Sequence, residues 1–228
     1  MTRLSVIVPT LNAASTLPGC LATLNQARRR GLVDQVVVVD GGSSDATREI
    51  AKAGGALVVE SQPGRGRQLA EGADMAAGLW LLFLHADTRL GDGWETAVEG
   101  FLASEEAGEA VAVFQLAYDE DSPAARRVAA VANWRSRWLG LPYGDQGLLI
   151  ARDFYRRVGG YPDEPLMEDV TLVRRIGRRR IRILPAVAVT SAGRYRRDGW
   201  WARPLRNIGV LTLYFLGVPP RLLKRLYG

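Results

Sequence analysis

The sequence predicts an α/β fold with a doubly wound, mainly parallel central sheet flanked by helices. Apolar strand-like runs and helical patterns alternate three times before residue 90. One run, the valine-rich segment that ends at Asp40, is apolar throughout, as in parallel strands buried on both faces. The runs also end at Pro, Gly, Asn or Asp, which is typical of strands that leave a sheet for loops.

Four strands are expected in the first ninety residues, and they are LSVIVPTLN, VDQVVVVD, GALVVES and LWLLFLHADT. Leucines at helical spacing, closed by Gly31, predict a helix after the first strand. After the second strand, Ser44 or Asp45 is positioned to cap the next helix. A glycine-rich turn then leads into an alanine-rich helix before the fourth strand.

The second half alternates less regularly. Helices are expected in GWETAVEGFLASEEAGEA, in the segment that begins SPAARR and after Glu168-Asp169, and strands in VAVFQLAYD, GLLIAR and IRILPAVAVTSAG. The segment DFYRRVGG is predicted to be turn-rich. No internal repeat or low-complexity linker divides the chain, so one large domain is expected.

Charge is distributed unevenly over the 228 residues, whose net charge is +6. Residues 1–150 carry 13 Lys and Arg against 18 Asp and Glu, whereas residues 151–228 carry 17 against 6. Such a basic segment could contact nucleic acid, an anionic membrane surface or a phosphorylated ligand. For RRIGRRRIR alone, a solvated surface is the simplest interpretation.

The single cysteine, Cys20, excludes an intramolecular disulfide framework and a cysteine-rich zinc site. The N-terminal sequence MTRLSVIVPT lacks the apolar region and cleavage site of a signal peptide. Both features favour the cytoplasm as the location.

Polar residues follow three of the predicted strands, in Pro9 to Asn12, Asp40 to Ser44 and His85 to Asp87. Ligands of open α/β sheets bind beyond the carboxyl ends of the strands, so these segments should lie along one rim. Asp87 offers a hard oxygen ligand for Mg²⁺ or Mn²⁺, and His85 could bind Mn²⁺ or donate to a phosphate. Alternatively, Asp87 caps the following turn and His85 is a structural histidine.

Three further motifs suit a nucleotide ligand and a proton transfer. Asp40 could accept hydrogen bonds from a base or a ribose, and the arginines of GRGRQ suit a phosphate. Of the pair Glu168-Asp169, one carboxylate could face a cavity and act as a general base, although acidic residues also favour the first helical turn. Neither G-x-G-x-x-G after the first strand nor G-x-x-x-x-G-K-[ST] occurs, which removes support for a dehydrogenase or a P-loop protein.

In their order, SVIVPTLN, VVVDGGSSDAT, LLFLHADT, GDQGLLI and MEDVTLVRRI resemble the family 2 glycosyltransferases, from about residue 3 to about residue 180. The resemblance implies the GT-A fold of that family and a single domain over residues 1–204. Residues 1–90 would bind the nucleotide sugar, residues 91–204 would form the acceptor half, and residues 205–228 would be an amphipathic helical tail. The compact chain is most similar to a bacterial subgroup.

The resemblance also implies roles for individual residues. His85-Ala86-Asp87 occupies the place of the family's Asp-x-Asp motif, so Asp87 is the expected ligand of a divalent cation, Mn²⁺ or Mg²⁺, with His85 as a candidate second ligand. Asp169 matches the general base of an inverting transfer, and Glu168 stands beside it. The acceptor side should include Asp145 and Gln146. The donor-binding residues are expected to be Pro9, Thr10, Asn12, Asp40, Gly41, Arg67, His85 and Asp87.

The implied function is transfer of a sugar from a nucleoside-diphosphate sugar to a hydroxyl of a small or lipid-linked acceptor. Two alternatives stay open. The first is nucleotidyl transfer to a sugar phosphate, and the second is a non-enzymatic basic module that binds RNA or anionic lipid. Under the favoured reading no nucleic-acid partner is expected.

The C-terminal tail contains an apolar run, Ile208 to Val218, that is too short to span a bilayer. We expect it to pack on the domain or on a second copy of the chain in a homodimer. Peripheral contact with the inner face of the membrane is the alternative, because Arg221, Lys224 and Arg225 alternate with leucines there.

Overall fold

A valine-rich strand lies inside an eight-stranded sheet in the computed structural model, which describes residues 4–227. The strands are β1 (Leu4–Thr10), β2 (Val33–Asp40), β3 (Leu57–Glu60), β4 (Trp80–Phe83), β5 (Thr88–Leu90), β6 (Val111–Tyr118), β7 (Leu148–Ala151) and β8 (Ile181–Thr190). Their order across the sheet is β3-β2-β1-β4-β7-β6-β8-β5. Strand β2 pairs in parallel with β1 and β3, and its last five residues are buried because apolar layers cover both faces of the sheet there.

The first half of the sheet is parallel and the second half is mixed. Strand β1 pairs in parallel with β2 and with β4, and β6 pairs in parallel with β8. The antiparallel strand β7 joins the halves, since it pairs with β4 on one side and with β6 on the other. The short strand β5 pairs antiparallel with β8 at the sheet edge.

Ten helices are present among the described residues. They are α1 (Leu17–Arg29), α2 (Thr47–Ala53), α3 (Arg65–Met75), α4 (Trp94–Leu102), α5 (Pro123–Leu139), α6 (Arg152–Arg157), α7 (Glu168–Ile176), α8 (Gly193–Asp198), α9 (Ala202–Phe215) and α10 (Pro220–Tyr227). Short 3-10 turns cover Gly144–Gln146 and Arg178–Arg180.

Two apolar layers cover the two faces of the sheet. Alternate residues of β1 point to opposite faces, so Val6 packs with α1 and α4 while Ile7 packs with α3 and α7. On the second face, Gly72 allows α3 to approach β1 closely. A Cβ at this position would lie only 2.4 Å from Ile7 Cγ2. The predicted doubly wound, mainly parallel α/β fold is confirmed.

The C-terminal helices pack on the domain through a third, smaller cluster that is centred on Met167, Val170, Val210 and Leu223. Helix α9 begins at Ala202, three residues before the predicted start of the tail at residue 205. The outer bounds of the predicted domain and tail, residues 1 and 228, lie outside the described residues. Within the described residues, none of the helices has the length and apolar character that crossing a bilayer requires.

Three local predictions differ from the structure. The run LWLLFLHADT is not one strand, because β4 ends at Phe83 and the next strand begins only at Thr88. The segment DFYRRVGG contains helix α6 rather than turns alone. Ser44 does not cap α2, whereas Asp45 Oδ1 accepts from the Thr47 backbone N–H at 3.1 Å.

Candidate active site

A pocket opens beyond the ends of β4, β6 and β8. Its lining comes from seven segments of the chain. The lining residues are Arg65, His85, Asp87, Tyr118, Tyr143, Gly144, Asp145, Leu166, Met167, Asp169, Thr190, Ser191, Arg194, Tyr195, Arg203 and Asn207. The enclosed part of the pocket measures about 120 Å³, and the pocket is open to solvent. This is less than the roughly 300–1,000 Å³ of common ligand sites, so an activated sugar would fill the pocket and extend along the open rim.

The turn that carries His85 and Asp87 is fixed by backbone hydrogen bonds to both halves of the sheet. The N–H of Leu84, just before it, donates to the Ile7 carbonyl of β1 at 3.0 Å. The N–H of Ser191, just after β8, donates to the Asp87 carbonyl at 3.0 Å. The Asp87 carboxylate is therefore held where the two halves meet.

His85 sits against a residue that has no side chain. A Cβ at Gly144 would lie 2.6 Å from His85 Nε2, so only glycine leaves room for the imidazole. Burial, assisted by the positive charge of Arg65, lowers the pKa of His85 to about 4. The imidazole is therefore neutral near pH 7, which leaves one ring nitrogen able to accept a hydrogen bond or bind a metal.

The carboxylate of Asp169 is held by two backbone donors. Gly144 N–H donates to Oδ2 at 2.9 Å, and Val170 N–H donates to Oδ1 at 2.8 Å. Met167, two residues before Asp169, has φ 68, a left-handed conformation that is strained for a side chain of this kind. Non-glycine residues in that region cost on the order of 1–3 kcal/mol and cluster at functional sites.

Glu168 points away from the pocket. Its side chain is 2% exposed and forms an ion pair with Arg65, the first residue of α3. Arg65 itself lines the pocket. Glu168 therefore differs from its predicted catalytic position, because it fixes a pocket arginine and does not face the cavity.

The two predicted acceptor-side residues separate in the structure. Asp145 lines the pocket, its buried Oδ1 has no hydrogen-bond partner among the described residues, and burial raises its pKa to about 6. Gln146 is fully buried, where its amide N–H donates to the Phe114 carbonyl at 3.0 Å and its oxygen accepts from Ser136 Oγ. It orders the core beneath the site.

The residues predicted for the base and ribose lie along the same rim but outside this pocket. Asp40 is 1% exposed and accepts hydrogen bonds from Thr10 Oγ1 at 3.1 Å and from Ser43 N–H at 2.8 Å. Although burial opposes the shift, these bonds lower the pKa of Asp40. Asn12, with φ 52, accepts from Ser44 N–H at 2.9 Å.

Arg67 is exposed and paired with the exposed Asp163, at 2.5 Å between Nη2 and Oδ2. Pro9 is the second-last residue of β1, and Gly41 lies close to the amide of Gln68, which donates to the Thr10 carbonyl. These residues shape the rim next to the pocket.

A preformed metal cluster is absent. Among residues 4–227, no three His, Cys, Asp or Glu side chains are grouped so that they could hold an ion. A divalent cation bound with a diphosphate needs only one or two carboxylates, since phosphate oxygens and water complete its shell. Asp87 and the neutral His85 fit that requirement, and the unpartnered Asp145 Oδ1 adds a further oxygen to the same pocket.

Sequence reasoning missed the residues that close the pocket from the C-terminal side. Tyr118 ends β6, Arg194 and Tyr195 come from α8, and Arg203 and Asn207 come from α9. The rings of Tyr118, Tyr195 and Trp200 contact one another, with centroids 4.8 to 5.4 Å apart. The segment RYRRDGWW carried a signal, because its aromatic and basic residues stand directly after the last strand.

Comparison with known proteins agrees with this geometry. A family model described as glycosyl transferase family 2 matches residues 5–157. A PGL/p-HBAD biosynthesis glycosyltransferase of Mycobacterium tuberculosis is 37% identical over 115 residues, which cover 47% of this chain and 44% of that protein. The match thus spans less than half the length of this curated relative.

Solved structures share the fold. The mannosyltransferase PcManGT from Pyrobaculum calidifontis, in complex with GDP-Man and Mn²⁺, has a TM-score of 0.63 and 23% identity, covering 90% of this chain and 64% of that one. Glucosyl-3-phosphoglycerate synthase from Mycobacterium tuberculosis, in complex with Mn²⁺, UDP and glucosyl-3-phosphoglycerate, has a TM-score of 0.55 and 21% identity, covering 83% and 70%. The predicted GT-A-type fold is thereby confirmed.

Proposed function

Because the chain belongs to glycosyl transferase family 2, we propose that it transfers a sugar from a nucleoside-diphosphate sugar to an acceptor hydroxyl with inversion. The observation that carries the proposal is that Asp87, His85 and Asp169, from distant segments, line one pocket. A site for a departing diphosphate and a base for the incoming hydroxyl thus share one space.

The donor diphosphate is assigned to the end of β4. Asp87 would hold a Mn²⁺ or Mg²⁺ ion, with His85 as a second ligand, and the bound ion supplies Lewis-acid stabilisation of the negative charge on the departing diphosphate. Arg65 and Arg194 add positive charge on the pocket wall. The rim of Thr10, Asn12 and Asp40 is assigned to the nucleoside.

Asp169 is assigned as the general base. It accepts the proton of the acceptor hydroxyl as that oxygen forms a bond to the anomeric carbon. The bond from the anomeric carbon to the diphosphate oxygen breaks on the opposite face, which inverts the configuration and releases a nucleoside diphosphate. The two backbone donors on Asp169 fix the orientation of the carboxylate before the acceptor arrives.

The acceptor is assigned to the side that α8 and α9 close. Tyr118 and Tyr195 line the pocket there, and aromatic side chains suit a sugar ring or another ring-containing acceptor. Asp145 lies on the same side and can hydrogen-bond a hydroxyl. The acceptor class is a hydroxyl compound, either small or lipid-linked.

The bound partners of the solved neighbours support this choice of donor and cation. UDP with Mn²⁺ is bound in the synthase complex and GDP-Man with Mn²⁺ in the mannosyltransferase complex, and both proteins have the same fold as this chain.

A panel of nucleoside-diphosphate sugars, with and without Mn²⁺, tests the proposal. A donor that binds the native state raises the melting temperature, and turnover with an acceptor releases a free nucleoside diphosphate. Release of pyrophosphate from a nucleoside triphosphate and a sugar phosphate would instead establish nucleotidyl transfer. Stabilisation by none of the donors would overturn both assignments.

A further inference from the structure

Helix α9 is apolar on its outer side as well as on its inner side. The inner side carries Arg203 and Asn207 into the pocket, and it carries Val210, Leu211 and Tyr214 to the third apolar cluster. The outer face of α9 consists of Trp201 at the N-cap, Leu205, Ile208, Phe215 and Leu216, which are between 48% and 75% exposed. A surface helix normally buries its apolar residues, so the exposed apolar face of α9 requires an explanation.

Helix α5 also has an apolar face that is exposed to solvent. Its inner side is small, with Ala125, Ala129 and Ala132 packed on the domain. The outer face of α5 consists of Val131, Trp134, Trp138 and Leu139, which are between 49% and 61% exposed. The N-terminal end of α5 lies next to the outer face of α9. The Arg127 guanidinium is 5.6 Å from the centre of the Trp201 ring.

A basic groove adjoins the other end of α5. It contains Arg137, Arg178 and Arg179, and Gly140 brings α5 so close to Arg178 that a Cβ there would lie 2.6 Å from the Arg178 side chain. None of the three guanidinium groups forms an ion pair or a hydrogen bond with a described residue. The groove therefore offers free positive charge beside exposed tryptophans.

The C-terminal helices add to this charge. Residues 193–228 contain eight Lys and Arg but one Asp and no Glu. In α10 the side chains of Arg221, Lys224 and Arg225 are also without an acidic partner among the described residues. Apolar faces bordered by unpaired cations complement a surface with an apolar interior and an anionic boundary.

We propose that the outer faces of α5 and α9, together with the groove of Arg137, Arg178 and Arg179, dock on the surface of an anionic lipid bilayer. The tryptophans and leucines enter the headgroup and acyl boundary, and the arginines bind lipid phosphates. Helix α9 then lies between the bilayer and the pocket: its outer face contacts lipid, and its inner side lines the pocket.

Two other partners fit the surface less well. A second copy of the chain would bring the same unpaired arginines together, and their repulsion opposes a symmetric dimer. A nucleic acid would use the arginines and tryptophans, but it offers no apolar partner for Val131, Leu205 and Ile208.

Vesicle flotation tests the docking surface without any donor or acceptor, so the result is independent of sugar transfer. We expect the chain to float with vesicles that contain phosphatidylglycerol, and to bind neutral phosphatidylcholine vesicles at least about 10-fold more weakly. Quenching of tryptophan fluorescence by brominated lipid should accompany binding.

Paired variants locate the contact. Trp134→Ser with Trp138→Ser, and Leu205→Ser with Ile208→Ser, should each weaken binding by about 10-fold. The matched control is Leu79→Ser, since Leu79 is 63% exposed and lies before β4. Arg178→Gln with Arg179→Gln should weaken binding by about 10-fold and reduce its salt dependence, whereas Arg29→Gln with Lys52→Gln, on α1 and α2, should not.

The proposal fails if anionic vesicles do not bind the chain, or if the face variants bind as well as their controls. A dimer in light scattering that Trp134→Ser with Trp138→Ser converts to a monomer, without vesicle binding, would assign the face to a second copy. RNA binding that requires Arg178 and Arg179, without vesicle binding, would assign it to nucleic acid.

Discussion

The backbone N–H of Gly144 donates to Asp169 Oδ2 at 2.9 Å, which joins two motifs that are 25 residues apart in sequence. Gly144 also stands against the imidazole of His85. One glycine therefore positions the candidate base relative to the candidate metal ligand.

Replacing Gly144 with alanine should cause steric conflict with His85, because the new Cβ would lie 2.6 Å from Nε2. We expect activity to fall by at least about 10-fold and the free energy of unfolding to fall by about 1–3 kcal/mol. The double variant Gly144→Ala with His85→Ala should regain stability in urea titrations, because the clash is gone, but not activity. Equal stability of Gly144→Ala and the parent chain would contradict the close contact.

Asp169→Asn keeps the shape of the side chain and one acceptor oxygen but removes the basic carboxylate. We expect transfer to fall by about 100-fold to 10,000-fold, the usual range for loss of a general base, with donor binding in thermal shift near normal. Asp163→Asn is the matched control, since Asp163 is exposed, pairs with Arg67 and does not line the pocket. Turnover at the parent rate in Asp169→Asn would remove Asp169 from the mechanism.

Arg65 and Arg67 should differ in importance although they stand two residues apart. Arg65 lines the pocket and pairs with Glu168, whereas Arg67 pairs with Asp163 at the surface. We expect Arg65→Gln to weaken donor binding by at least about 10-fold, the usual cost of a charge-assisted contact. Arg67→Gln should change it by less than about 3-fold, as measured by titration calorimetry. A larger effect at Arg67 would instead place the donor diphosphate on the outer rim.

Asp145 should make stability fall as pH rises. Burial raises its pKa in the folded chain to about 6, above its value in the unfolded chain, so the folded state binds the extra proton between these values. The stabilising contribution is complete near pH 4 and is lost as pH rises through about 6.

Asp145→Asn is neutral at every pH and should therefore be more stable than the parent chain at about pH 8, by up to about 2 kcal/mol, and equal to it near pH 4. Urea titrations at the two pH values measure the difference. A gain of the same size at both pH values would show that the effect is not due to ionisation.

Much of the fold could be predicted because each early strand leaves a local pattern. The valine run, the helical leucine spacing and the polar residues at the strand ends depend only on neighbours in sequence. The end of β4 could not be placed, because Leu84 is as apolar as the strand and only its hydrogen bond to Ile7 of β1 shows where the turn begins.

The site was predicted in part for similar reasons. His85, Asp87, Asp145 and Asp169 stand next to strand or helix ends, so their place at the rim could be inferred, and the structure brings them into one pocket. The choice of Arg65 over Arg67 depends on where α3 begins, which sequence patterns place only to within a few residues.

The part of the C-terminal wall that α9 supplies could not be foreseen either. Arg203 and Asn207 reach the pocket only because Val210 and Leu223 pack against Met167 and Val170, and this contact joins segments far apart in sequence. Gln146 likewise looked like a pocket residue, but tertiary contacts with Phe114 and Ser136 bury it.

The antiparallel strand β7 has a consequence for engineering. It occupies the place between β4 and β6, although the chain reaches it some sixty residues after β4, from Phe83 to Leu148. A fragment that stops at residue 90 would leave the edge of β4 bare and prone to aggregate. Chimeras that exchange donor preference between relatives must therefore include β7 with the N-terminal half. This strand lies in the C-terminal half of the sequence, but it is hydrogen-bonded to β4 of the N-terminal half as well as to β6.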